Sequence, residues 1–176
     1  VILIQDSREQ CPLDFRRWPD VVVEVAGLPS GDYALKGLET LAACERKSID
    51  DLVGSLSAGR DRFEAELCRA RGYDLFVIVA ECSMQDVAQH RYRSRMLPHA
   101  VLQSLFSYQA RYGVPTIWAG DRAGAAYAVR SLLGKYLRER QEGLQAILKA
   151  HGGADFIPGD ETRSWGKPEA QEGDAA

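Results

Sequence analysis

The chain has no apolar run approaching the roughly 20 residues that cross a bilayer, and its longest are strand-sized, which excludes a membrane-spanning class of function. It has no basic and apolar leader ending in small residues, so nothing points to secretion. Val1 opens it in place of Met, and the protein is expected to start upstream. Cysteine and histidine are sparse. Cys11, Cys44, Cys68 and Cys82 form no C-x-x-C pair, and His90, His99 and His151 stand at no ligand spacing, which sets aside a zinc site. Cys44 and Cys82 fall in apolar, strand-like stretches, where a free thiol behaves as a small buried hydrophobe. A reducing, intracellular setting (cytoplasm, nucleoid or nucleus) is the expectation. No internal repeat is present.

What is present fits one globular core and a short appendage. Hydrophobic residues make up 45% of the 176 and charged residues 27%. The net charge of −3 is unevenly spread. From Asp155 onward six acids (Asp155, Asp160, Glu161, Glu169, Glu172, Asp174) stand against two bases (Arg163, Lys167), so this segment carries −4 and the rest +1. A near-neutral body can carry a basic face beside an acidic pocket, so the overall sign does not decide the partner. The division predicted is a domain over 1–151 and a flexible acidic tail over 152–176, in which Trp165 is the one anchor-like residue.

Val1–Gln5 reads as a strand covered on both faces and Val21–Ala26 as a second. Asp32–Leu35 and Thr40–Glu45 flank the Gly-containing connection Lys36–Glu39, which predicts a hairpin with Asp32 and Glu45 on neighbouring strands. Ser48, with Asp51 three residues on, is an N-cap signal for a helix through Leu56, and a second helix is predicted over Arg60–Arg71. Asp74–Glu81 is the next strand, followed by helices over Met84–Gln89 and Pro98–Tyr112. The last strand is Pro115–Ala119, and a helix over Arg122–Ala150 is predicted to break near Glu142-Gly143. Early strands followed by alternating helix and strand imply an α/β fold, a mixed central sheet with helices on both faces.

Two clusters carry chemistry: Gly31-Asp32-Tyr33 and Glu45-Arg46-Lys47-Ser48-Ile49-Asp50-Asp51. Side chains two apart on a strand share a face, so Glu45 and Lys47 project together while Arg46 points away. With Asp32 on the paired strand, two carboxylates and an ammonium converge at a sheet edge. Like charges this close call for a compensating cation, and hard oxygen ligands suit Mg²⁺. Phosphodiester hydrolysis needs an activated water and a neutralised non-bridging oxygen, both of which a carboxylate-held Mg²⁺ supplies. Lys47 would orient the water or offset charge on phosphorus.

This pattern resembles the nuclease domain of the XPF family of structure-specific endonucleases, with its Gly-Asp, variable stretch, then Glu-Arg-Lys-x-x-x-Asp. Here these are Gly31-Asp32 and Glu45-Arg46-Lys47 with Asp51. The family's opening strand and Asp-x-Arg-Glu stand as Asp6-Ser7-Arg8-Glu9, and the basic Arg-Phe segment as Arg60-Asp61-Arg62-Phe63. A strand ending in Glu81, and Tyr112-Gly113-Val114-Pro115-Thr116 leading into the last strand, also match. The likeness covers roughly 1–150, in order, and several motif blocks together are far more specific than one.

The resemblance implies a three-layer, restriction-endonuclease-like core and a metal-dependent DNA endonuclease acting on branched or flapped DNA in repair, recombination or replication. The alternatives are a catalytically silent DNA-binding scaffold subunit, or a restriction-type or RNA nuclease on the same core. Asp32 and Glu45 would be metal ligands for Mg²⁺, with Mn²⁺ as a substitute, and Asp6 would complete the acidic pocket. Lys47 would be the catalytic lysine. Arg46 and Asp51 would brace the site or approach the substrate backbone, although Asp51 is equally suited to capping with Ser48. Glu81 is a further candidate near the pocket. Candidate DNA contacts are Arg8, Arg60, Arg62, Arg91 and Arg93; Arg16-Arg17-Trp18 could stack on a base or cover the edge of the core, and the latter is the favoured reading. The segment after Ala150 lacks the length and glycine hairpins of the helix-hairpin-helix module with which many members continue, so a stand-alone or excised nuclease domain is expected. Val101, Leu102, Leu105, Phe106, Tyr108 and Tyr112 are more apolar surface than one helical face buries, which predicts a homodimer.

Overall fold

Five strands run one way and one runs against them. In the computed structural model, which describes residues 1–152, β1 (Ile2–Asp6), β2 (Val22–Ala26), β4 (Ala42–Lys47), β5 (Leu75–Ala80) and β6 (Thr116–Trp118) share a direction. β3 (Tyr33–Leu35) lies antiparallel between β1 and β4, in the order β2-β1-β3-β4-β5-β6. The carboxyl ends of β1 and β4 therefore emerge beside the start of β3. In open α/β sheets ligands gather at such carboxyl ends.

Alternation along the strands splits the core in two. Ile4, Ala43 and Ile78 face α1 (Ile49–Leu56), α2 (Arg60–Ala70) and α4 (Pro98–Tyr112), packing with Leu52, Phe63, Leu67, Val101 and Tyr108. Their neighbours Leu3, Cys44 and Val77 face the other way, toward Ala125, Val129 and Leu133 of α5 (Arg122–Ala150) and toward Leu13 and Phe15 of the β1–β2 connection. This is the mixed sheet covered on both faces that the sequence implies. The short α3 (Met84–Ala88) is closed by a reciprocal Ser83–Asp86 capping box. All four cysteines are free, with Cys44 and Cys82 buried as expected. None of the described helices is long and apolar enough to cross a membrane. The chain divides into a unit Val1–Arg138 and a second beginning at Glu139.

Several expectations need correction. α5 runs unbroken through Glu142-Gly143. A helical glycine costs about 1 kcal/mol relative to alanine, and the Arg, Glu, Gln and Leu around it are strong helix formers that outweigh it. The apolar surplus assigned to α4 is mostly core: Val101, Leu105 and Tyr108 are buried, Leu102 and Tyr112 are partly buried, and Phe106 alone of the six is exposed, at 48%. The homodimer thus loses most of the surface that suggested it. β4 begins at Ala42 rather than Thr40, and Asp32 stands one residue before β3. The predicted tail, with Trp165, lies outside the described residues.

Candidate active site

The hairpin register brings the first two acids together. Tyr33 pairs with Cys44 and Ala34 with Ala43, so Asp32 falls opposite Glu45, and directly opposed side chains on paired strands project to one face. Asp32 is held at three points: its N–H donates to the Cys44 carbonyl (2.9 Å), its carbonyl accepts from Asp6 N–H (2.8 Å), and its Oδ2 accepts from Arg46 N–H (2.8 Å). Gly31 before it has φ +80°, and a Cβ there would come within 3.1 Å of Ala43 Cβ and the Cys44 carbonyl oxygen. Only glycine brings the chain this close to β4.

Glu45 and Lys47 share their face of β4, with Lys47 Nζ 2.5 Å from Glu45 Oε1 and 5.2 Å from the centre of the Phe63 ring. Glu45 is 5% exposed. Burial raises the pKa of Glu45, and the charge of Asp32 adds to this against the opposing pull of Lys47. Asp32 is likewise raised by burial, its hydrogen bond from Arg46 N–H only partly offsetting that. At Lys47 burial acts to lower the pKa, but Glu45 and then Asp32 outweigh it and hold the ammonium above its ordinary value. Two crowded, poorly solvated carboxylates thus share one ammonium.

These groups line a cleft of about 370 Å³, walled also by Asp6, Arg8, Ser30, Arg62, Glu66 and Arg69. Glu66 and Arg69 come from α2 and were not singled out in the sequence. Glu66 Oε1 accepts from Gly31 N–H at 3.3 Å, and Arg69 Nε lies 3.4 Å from Ser30 Oγ. The signal available was spacing: α2 buries Phe63, Leu67 and Ala70, so Arg62, Glu66 and Arg69, each one residue earlier, form an adjacent stripe.

The other predicted residues divide. Arg8 reaches the cleft with its side chain 74% exposed, and Arg62 lines it. Asp6 is in the wall, but both its oxygens are occupied: Oδ1 accepts from Arg8 N–H and Nε, and Oδ2 from Arg8 Nη2 and Leu28 N–H. These bonds, the Arg8 side chain first, hold its carboxyl down at about 2 despite burial. Asp6 is therefore a clamp on the β1 end rather than a free ligand. Arg46 points to the opposite face, where it grips Glu81 through Nε (2.9 Å) and Nη2 (2.7 Å) with Glu9 at 3.7 Å, and Arg122 joins Glu81 at 3.6 Å. Arg46 and Glu81 brace β4 from behind the cleft. Asp51 takes its capping role, accepting from Ser48 Oγ at 2.6 Å while Ser48 Oγ accepts from its N–H. Arg60 is directed to Ser104, Leu56 and Glu64, Arg91 to Asp86 and Arg93 to Asp50, so none of the three lines the cleft.

Among the described residues no group of three His, Cys, Asp or Glu side chains is arranged around a common metal position. The cleft offers a pair, Asp32 and Glu45. Mg²⁺ is commonly held by one or two carboxylates, keeping several waters for its remaining positions. Two hard carboxylate donors projecting to one face of the hairpin, in an open cleft, fit such an ion.

The model of the ERCC4 domain matches residues 5–132. No curated protein sequence matches the chain. Among the similar solved structures are XPF from Aeropyrum pernix, 26% identical with TM-score 0.63 over 77% of this chain, and XPF from Aeropyrum pernix in complex with DNA, 25% identical with TM-score 0.58 over 78%. The alignments cover 61% and 66% of those longer chains. The match spans both strands of the acidic hairpin and the helices around the cleft, and on it the chain belongs to the ERCC4-domain family, with an XPF-type nuclease domain as its fold.

Proposed function

We propose that this domain is a divalent-metal-dependent DNA endonuclease that hydrolyses phosphodiester bonds, with branched or flapped DNA as its preferred substrate. The observation that carries this reading is the opposed pair Asp32 and Glu45, crowded against Lys47 in an open cleft rimmed by Arg8, Arg62 and Arg69. Family membership, and the likeness to an XPF solved with DNA, support the substrate class.

Asp32 and Glu45 are the residues that would hold Mg²⁺, or Mn²⁺ in its place. When bound, the ion supplies Lewis acidity to a phosphate oxygen and lowers the pKa of a coordinated water. Lys47, kept charged by Glu45, donates toward the oxygens on which charge builds at phosphorus. Glu66, which lines the same cleft, would accept a hydrogen bond from the attacking water. Arg8, Arg62 and Arg69 hold flanking phosphates, Arg8 through the part of its guanidinium that Asp6 leaves in solvent. Asp6, Arg46 and Glu81 fix the strand ends that carry these groups.

Cleavage of matched flap, splayed-arm, duplex and single-stranded DNA, and of RNA, with Mg²⁺, Mn²⁺ or a chelator tests this. The expected result is cleavage of DNA, fastest at flaps or splayed arms, supported by either metal and abolished by chelation. Binding without cleavage of any substrate would overturn it in favour of a silent scaffold, and cleavage confined to RNA or to one duplex sequence would overturn the substrate assignment.

A further inference from the structure

The layer opposite the cleft carries a surface that the hydrolytic reading does not use. α5 buries Ala125, Ala126, Val129 and Leu133, which leaves Tyr127, Arg130, Gly134 and Arg138 as a stripe along one flank, recurring at helical spacing. Against its first turns lies the β1–β2 connection. There Trp18 sits 6.4 Å from Tyr127, centre to centre and tilted by 42°, with the Arg17 guanidinium 5.4 Å above the indole. A hollow of about 300 Å³ lined by Asp14, Arg17, Trp18 and Arg122 lies on one side of this ring pair. One of about 330 Å³ lined by Asp20, Tyr127, Arg130, Lys135 and Arg138 lies on the other.

Phe15 explains why the connection folds here, since it is buried beside Tyr33 and Trp18 leans on it. It does not explain Tyr127, which is 61% exposed. A ring serving only as a lid over the core would be covered. The charge is also lopsided: Asp14 is matched by Arg16 and Asp20 by Arg130, and among the described residues no ion pair engages Arg17, Lys135 or Arg138 on the track. Protein interfaces are also enriched in Trp, Tyr and Arg, but they are depleted in lysine and in charge at their centre, which this track is not. Two rings set among guanidinium and ammonium groups instead match a polyanion with flat apolar faces.

We propose that this track is a binding surface for single-stranded nucleic acid, with Trp18 and Tyr127 stacking on unpaired bases and Arg17, Lys135 and Arg138 on the phosphates. Unpaired bases suit it because stacking on aromatic side chains accepts any base, and a duplex hides those faces. From Arg122 to Arg138 the helix rises about 24 Å, long enough to follow several nucleotides of an unpaired strand. The inference rests on the proposed function for the source of the strand: a flap or splayed arm provides an unpaired strand that leaves the cleft side and passes over the α5 layer.

The test is binding of fluorescein-labelled oligothymidylate of about 12 nucleotides, and of a duplex of equal length, by anisotropy in chelator. Protein carrying Asp32→Asn is used so that cleavage plays no part. Tyr127→Ala should weaken the single strand at least about fivefold, the lower end of the stacking contribution of one base. Lys135→Ala and Arg138→Ala should each reduce the log–log salt slope by about 0.7. Duplex affinity should fall less than single-strand affinity. All three side chains are exposed or flank solvent, and an unchanged circular dichroism spectrum verifies folding. Absence of single-strand binding, an unmoved affinity and slope in the triple variant, or equal losses for duplex and single strand would overturn the proposal. Flap cleavage by the unsubstituted protein in Mg²⁺ is measured separately. Its absence with track binding intact would sink the nuclease reading alone, and its presence with track binding unmoved would sink the track alone.

Discussion

β4 carries charge on both of its faces, and the two faces treat it in opposite ways. Behind the cleft, Arg46 is gripped in two-point fashion by Glu81, with Glu9 and Arg122 completing a network whose donors and acceptors match. Burial is nearly complete there, and Glu81 raises the pKa of Arg46 above its ordinary value, so the network is built to stay charged. In the cleft, Glu45, next to Arg46 in β4, and Asp32, opposite it across the hairpin, share a single ammonium, and both have their pKa values raised by burial. A charged group that is fully partnered has nothing left to offer a ligand. The poorly compensated face is the one that opens on the cleft, where the proposed cation and phosphate would bind.

The contrast predicts a ranking of effects. Asp32→Asn keeps the acceptor for Arg46 N–H but removes a ligand charge, so cleavage should fall by about a thousandfold or more, with DNA binding in chelator retained or slightly strengthened. Lys47→Ala should suppress cleavage comparably while Mg²⁺ affinity, read by calorimetry, stays largely intact, because an ammonium is not a ligand. Wild-type cleavage by Asp32→Asn at limiting Mg²⁺ would remove Asp32 from the ligand set.

Arg46→Ala acts on the other face and should appear chiefly in folding. It leaves Glu9 buried without its cation and Glu81 with only the more distant Arg122, which costs about 3–5 kcal/mol in denaturant unfolding. A loss below about 1 kcal/mol would mean that water reaches this network and that the two faces are not as different as the geometry implies.

Asp6 sharpens the comparison from within the cleft wall. Its carboxyl is held at about 2, against about 3.9 in an unfolded chain, so it contributes stability that is present above about pH 4 and lost as pH falls through about 2. Asp6→Asn should flatten that acid limb by on the order of 1 kcal/mol, since solvent screens the exposed Arg8 guanidinium. An unchanged limb would return Asp6 to the pool of free carboxylates. The smallest effects belong to the rim. Arg62→Ala and Arg69→Ala should each lower the salt slope of duplex binding by about one unit, whereas Arg91→Ala and Arg93→Ala should leave it unmoved. The reverse pattern would relocate the DNA face to the loop after α3.

Much of this was legible in the sequence because strand periodicity is strict. Residues two apart share a face, so Glu45 with Lys47, and Arg46 away from both, followed from β4 alone, and the Gly-containing connection brought Asp32 across. The pairing of Arg46 with Glu81 needed the β4–β5 register, which no local pattern carries. Asp6 looked like a ligand because nothing local reveals that Arg8 folds back on it from two residues away. Glu66 and Arg69 were missed for a different reason. A helical stripe beside the buried one faces solvent or a cleft according to how the helix docks, and the sequence of α2 does not contain that angle. The basic residues of the loop after α3 looked like phosphate contacts in isolation, and acids from elsewhere in the fold, Asp50 above all, claim them.

On the proposed function, the cleft face of β4 gives up stability for a charge arrangement that a metal and a substrate would complete. The unfolding free energy of Asp32→Asn in chelator, set beside that of the unsubstituted protein, tests it most directly, because the substitution removes one of two crowded, buried carboxylates and keeps its hydrogen bond. Asp32→Asn should be as stable as the unsubstituted protein or more so at neutral pH, and added Mg²⁺ should raise its unfolding midpoint less. A loss of more than about 1 kcal/mol, the scale of a typical net hydrogen bond, would contradict it and make Asp32 a structural acid like Asp6.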